Sequence, residues 1–262
     1  MFNIKKGILF LKKEGMINFF KKVFYNFYKG IKKVPNAMKE YFFGDYLLSE
    51  LKKEIPSKEV YVLIPCVDWY IPIFQRPQQI ATELSKKDNA IVIFISDQYK
   101  YDNFACCKRI KNNLWIFSLR SKKKLRNLTK QAKNITVFMS WTRHSDLLEY
   151  IPYNKFVYEY IDELSLFYYY NNDMEEKHRK MLEKADLIVC TAKNLYDKIN
   201  DFNYKAIISE NAGDYQMFHD GKTAKMNAEL EQKRKNYDCV IGYYGCLAYW
   251  FDYQTILEVA KR

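Results

Sequence analysis

From Val60 onward, apolar blocks and polar blocks succeed one another along the chain with the lengths of strands and helices taken in turn. Val60-Tyr-Val-Leu-Ile64 is β-rich and shows no alternation, which predicts a strand buried on both faces. An eleven-residue loop follows, Cys66 to Arg76, and Pro77 then opens a helical pattern with Ile80, Ala81 and Leu84 on its inner face. The same reading predicts strands at Ala90–Ile95, Asn113–Ser118, Ile135–Met139, Phe156–Ile161, Ala185–Cys190 and Ala206–Ser209. Helices are predicted between them at about Leu125–Ala132, Ser145–Tyr150, Met174–Lys184 and Asn194–Ile199. Strands that alternate with helices argue an α/β fold, a Rossmann-like doubly wound parallel sheet with helices on both faces. In such a sheet the loops at the carboxyl ends of the strands share one rim, where ligands bind.

Two flanking regions break the alternation. Residues 2–34 place Met16, Ile17, Phe20, Val23, Phe24, Phe27, Ile31 and Val34 at helical spacing, with lysines mainly between them. That pattern suits a basic amphipathic helix, either lying in the headgroup layer of an anionic membrane or packed on the globular body. Toward the other end, Met226–Lys235 reads as a charged surface helix, and Cys239–Gly245 as a new strand running into a glycine-punctuated turn, with a helix from Thr255. The expected organisation is therefore 1–56 helical extension and connector, 57–219 Rossmann-like domain, 220–238 linker, and 239–262 the first strand and helix of a truncated second Rossmann-like domain.

Composition narrows the classes. With 48% hydrophobic and 17% aromatic residues the chain can fill a core. Of the net +12, the first 35 residues carry +8 (nine lysines and one glutamate), which leaves +4 for the other 227 and argues against nucleic acid as a partner of the whole chain. The six cysteines lack C-x-x-C spacing and are expected to be reduced core residues. His144, His178 and His219 share no metal-ligand spacing, so no metal is expected. The glycine patterns of dinucleotide sites and P-loops are missing, as is G-x-S-x-G.

What chemistry remains lies on the predicted rim. Arg76, beside the helix-opening proline, suits a phosphate or an internal carboxylate. Asp68 and Trp69 suit a sugar, or a turn cap and packing. Asp162 and Glu163 end a strand and serve either as base and hydroxyl ligand or as an N-cap with a solvated neighbour. His144, after Trp141, is a rim base or a loop histidine. Tyr168–Tyr170 is expected to be packing, and Gly242 and Gly245 bracket a turn open enough for a phosphate.

Five segments, in order, resemble the GT-B glycosyltransferases of bacterial cell-surface polysaccharide synthesis. They are Trp69 with Phe74-Gln-Arg-Pro-Gln78; Tyr158-Glu-Tyr-Ile-Asp-Glu163; Lys184-Ala-Asp-Leu-Ile-Val-Cys-Thr191; Glu210-Asn-Ala-Gly-Asp-Tyr-Gln-Met-Phe218; and Ile241-Gly-Tyr-Tyr-Gly-Cys-Leu-Ala-Tyr-Trp-Phe-Asp252. The resemblance implies transfer of a sugar from a nucleotide-sugar to a cell-surface glycan or lipid-linked acceptor, at the cytoplasmic face of the inner membrane. It implies Arg76 and Asp162 as catalytic residues and Asp68, Trp69, Gln75, Trp141, His144 and Glu163 on the acceptor side. Asn211, Gly242, Gly245 and Asp252 would face the donor. No cofactor is implied beyond the nucleotide-sugar co-substrate. Because the family's second domain extends well past Asp252, the chain is expected to be truncated, or split with a partner chain. The alternative is a non-catalytic, membrane-associated acceptor-binding module.

Overall fold

A computed structural model describes residues 46–200, 205–213, 215, 219, 227–243, 245, 247 and 251–261. The amphipathic lead-in at 1–35 lies outside the described residues. The chain divides into two compact units, Met1–Asn211 and Ala212–Arg262.

The first unit is built on an eight-stranded sheet, in the order β3-β4-β2-β1-β5-β6-β7-β8. Its strands are β1 (Glu59–Ile64), β2 (Ala90–Ser96), β3 (Cys107–Lys111), β4 (Leu114–Ser118), β5 (Asn134–Met139), β6 (Lys155–Tyr160), β7 (Leu187–Cys190) and β8 (Ala206–Ile208). All neighbours are parallel except β3, which runs antiparallel to β4. Every residue of β2 is buried, as the unbroken run Ala90-Ile-Val-Ile-Phe-Ile-Ser96 predicts. Sequence pattern does not reveal β3. Its run Cys-Lys-Arg-Ile-Lys is short and charged, the composition that keeps an exposed sheet edge from pairing further.

The two faces of the sheet carry separate cores. One gathers Val60, Val62, Ile93, Trp115, Val137, Phe156 and Tyr158. Over it lie α1 (described over residues 46–54), α3 (Lys122–Thr129), α4 (Leu147–Tyr150), α5 (Asn172–Lys184) and α6 (Lys193–Asn200). The other gathers Leu63, Val92, Phe94, Leu114 and Ile116 beneath α2 (Arg76–Leu84). This split follows from right-handed crossovers. The chain steps one way from β1 to β2 and the opposite way from β5 through β8, so the connecting helices fall on opposite faces. Leu51 and Ile55, from the expected connector, are fully buried in the first core, worth about 1.5–3 kcal/mol each.

In the second unit α7 (Ala228–Asn236) exposes every residue, and α8 (Tyr253–Ala260) is capped by Asp252. The strand expected at Cys239–Gly245 is not formed: residues 239–243 are exposed and irregular. An apolar run becomes a strand only where a neighbour takes up its backbone hydrogen bonds. No helix among the described residues is long and apolar enough to cross a membrane.

Two buried aspartates clasp the loops that leave β1 and β2. The Asp68 carboxylate accepts the backbone N–H groups of Tyr99, Lys100, Tyr101 and Asp102 at 2.6–3.2 Å, and the Ser96 hydroxyl at 3.3 Å. Asp102 in turn accepts the N–H groups of Trp69 at 2.6 Å and Tyr70 at 2.9 Å. Of the two roles expected for Asp68, sugar ligand or turn cap, these bonds are those of the turn cap. Burial opposes its ionisation, but the four amides outweigh it and hold the carboxyl below its ordinary value. A folded value below the unfolded 3.8 gives stability that is complete above 3.8 and is lost as pH falls through the lower folded value. Asp68→Asn is therefore expected to cost on the order of 3 kcal/mol at neutral pH. In urea melts the gap from wild type should narrow in acid; a gap independent of pH contradicts the clasp.

Candidate functional site

The strand order reverses between β1 and β5: the chain leaves β1 toward β2 and β4, then returns to lay β5 on the other side. The crevice above this switch point is where a doubly wound sheet binds its ligands. The loops after β2, β1 and β5, three adjacent strands, each contribute one residue to a cluster there. They are Asp97, directly after β2; Cys66, two residues after β1; and His144, ending the short turn Thr142–His144 after β5. The ligating atoms of the three lie within 4.8 Å of one another. His144 Nε2 sits 2.9 Å from both oxygens of Asp97, whose side chain is only 8% exposed. Cys66 adopts a left-handed backbone, φ 61°, which non-glycine residues rarely take. Burial pushes its thiol pKa up, and the Asp97 charge adds to this. An open hollow of about 240 Å³ runs beside the cluster, lined by Asp97, His144, Asp146, Arg120 and Lys122.

Around this floor the loops hold up exposed aromatic and apolar side chains: Tyr70, Ile73 and Phe74 after β1, Tyr99 and Tyr101 after β2, and Tyr168 and Tyr169 after β6. The tyrosine cluster expected to be packing is thus a surface feature, Tyr168 being 96% exposed. Trp141 is half-buried, edge-on to Phe167 at 4.8 Å. Trp69 offers no open face. It is buried between Phe94 at 5.0 Å and Phe74 at 5.7 Å, which corrects its expected stacking on a sugar.

Arg76 opens α2 and reaches across the sheet top to β6. Its Nε donates to Glu159 Oε1 at 2.9 Å, and Glu159 Oε2 accepts the Ser140 hydroxyl at 3.0 Å. Its Nη1 donates to the carbonyls of Ser209 at 3.1 Å and Glu210 at 3.4 Å, and Nη2 to the Ser209 hydroxyl at 3.4 Å. Of the two roles expected for Arg76, phosphate or internal carboxylate, these contacts are those of the internal brace. Gln75 takes the N-cap position with its side chain exposed. Buried Gln78 accepts the Gln75 N–H at 3.2 Å and donates to the Asp68 carbonyl at 3.3 Å, so the Gln-Arg-Pro-Gln run ties its own loop to the helix.

The two carboxylates after β6 separate. Glu163 caps the turn Leu164–Leu166 through Ser165 and pairs with Lys198; burial opposes its ionisation, but these partners hold its carboxyl below the ordinary value. The N-cap was the alternative role expected of this pair, and Glu163 takes it. Asp162 makes no hydrogen bond or ion pair among the described residues, and the crowding of surrounding atoms alone pushes its carboxyl up. Its surface stays open to solvent. His178 is a core residue, its Nδ1 2.7 Å from the Tyr158 hydroxyl.

Asn211 is exposed at the end of the first unit. Gly242, Gly245 and Asp252 belong to the second. Gly242 has open space around it, whereas a Cβ on Gly245 would run into the Tyr243 ring. Asp252 accepts the Thr255 N–H at 3.0 Å and its hydroxyl at 2.6 Å, which lowers its carboxyl pKa and makes it a helix cap.

Sequence reasoning placed the loops that hold Cys66, Asp97, Ser140 and Arg143 on the rim but singled out none of these residues, nor Glu159, as part of the site. Asp97 was detectable as the first polar residue after the strand Ala90–Ser96, and Glu159 as a lone carboxylate in an apolar strand, which demands a partner.

With Glu159 only 2% exposed, removing its partner leaves a buried charge uncompensated. Arg76→Ala is expected to destabilise the chain by about 3–5 kcal/mol in chemical denaturation. An arginine kept only to hold a ligand would leave the midpoint where it is. No family model and no curated protein matches the chain.

Proposed function

We propose that the chain is a GT-B type glycosyltransferase, moving a sugar from a nucleotide-sugar to a cell-surface glycan or lipid-linked acceptor. Three observations support this reading beside the resemblance of its five segments. The sheet is of the Rossmann-like kind with its switch point open. The rim carries exposed aromatic side chains of the type that stack on sugar faces. Above all, Asp162 stands just past the carboxyl end of β6 with a carboxylate that no group among the described residues holds.

The chemistry asks for one base. The acceptor hydroxyl oxygen forms a bond to the anomeric carbon while the bond from that carbon to the phosphate oxygen breaks. The nucleotide diphosphate leaves with the electron pair, and the hydroxyl proton passes to the base. Asp162 suits the last part because a carboxyl raised above its ordinary value holds a proton more strongly than an ordinary carboxylate. Charge develops on the leaving diphosphate, so backbone amides and cations matter most there. The lysines of residues 1–35 would hold the protein to the anionic inner face of the membrane.

The test uses membranes from cells that carry either the natural chain or an Asp162→Asn version, given labelled nucleotide-sugars in turn. Natural membranes should incorporate label from at least one donor, and the variant should lose about 10²–10⁴-fold of that rate with its folding unchanged. The rate should also fall in acid, with a midpoint above the 3.8 of an ordinary aspartate, as Asp162 takes up its proton. Equal incorporation by the two membranes would remove Asp162 from catalysis; none by either would favour a binding module.

A further inference from the structure

We propose that Cys66, Asp97 and His144 form a site for one divalent transition-metal ion of the zinc class. The assignment stands apart from glycosyl transfer and depends only on the cluster itself. A thiol, an imidazole and a carboxylate are the donors such ions prefer, and an alkaline-earth ion would want oxygens alone. Zinc bonds of about 2.0–2.3 Å place tetrahedral ligand atoms roughly 3–4 Å apart. The three ligating atoms here lie within 4.8 Å of one another, so small side-chain rotations close them on an ion.

The backbone supports the same reading. The three residues hang from adjacent parallel strands, β2, β1 and β5, so the sheet itself sets their spacing. Cys66 is held at φ 61°, and strain of this kind persists where the surrounding structure imposes it and clusters at functional sites. Arg143, 3.9 Å from Asp97, is the cation beside the pair. Three protein ligands leave a fourth position open, as in catalytic rather than structural zinc sites. Asp97 and His144 also line the hollow that holds Arg120 and Lys122, so that position would take water or a ligand oxygen.

A simple ion pair between Asp97 and His144, with Cys66 merely nearby, is the competing account. Cobalt(II) separates the two because a cobalt–thiolate bond gives a charge-transfer band that oxygen and nitrogen ligands lack. The metal-free full chain should bind one cobalt ion with that band and release it to zinc. Cys66→Ser should abolish the band, and Cys239→Ser, at an exposed cysteine of the second unit, should keep it. Asp97→Asn and His144→Gln should each weaken cobalt binding about tenfold or more. The assignment is overturned if the natural chain shows no band, if the band survives Cys66→Ser, or if both other variants bind as tightly as the natural chain.

Discussion

Glu159 places a carboxylate inside a strand that is buried from Phe156 to Tyr160, and that charge dictates much of what surrounds it. A buried anion requires a cation and further hydrogen bonds to offset its lost hydration. Arg76 supplies the first and Ser140 the second. In meeting this demand Arg76 fixes the start of α2, and its remaining donors hold the carbonyls of Ser209 and Glu210 where the chain leaves β8. One ion pair thus joins β6 to the loop after β1, to Ser140 at the end of β5 and to the exit after β8.

The Asp68–Asp102 clasp does for the loops after β1 and β2 what that pair does for the far side of the switch point. Charge is used beneath the rim, where amides and a guanidinium neutralise it, while aromatic side chains are turned outward. Among the described residues, the groups that stay available include Asp162 after β6 and, at the switch point, the cluster of Cys66, Asp97 and His144. A rim fixed from below in this way is preorganised, and little ordering cost remains for a ligand that enters it.

How much of this was legible depends on the physics of each part. The strands later found as β1, β2, β5, β6 and β7 were readable because burial on both faces leaves an unbroken apolar run. The edge strand β3 was not, since an edge is kept polar on purpose. Cys239–Gly245 shows the converse, for an apolar run says nothing about whether a neighbouring strand exists. Asp68 and Arg76 were correctly placed on the rim, but composition cannot distinguish a side chain that holds a ligand from one that holds a loop. Cys66, Asp97 and His144 lie far apart in sequence; only the strand order β2-β1-β5 brings them together, and that order is not written in any local pattern.

A double-mutant cycle measures most directly how far the Arg76–Glu159 pair organises the rim. Arg76→Ala, Glu159→Ala and the double variant would be compared with the natural chain by chemical denaturation. The account predicts that the double variant costs less than the two single losses together, with a coupling on the order of 2 kcal/mol. Losses that add to within about 0.5 kcal/mol would mean that the two side chains act independently and that something else holds the rim together.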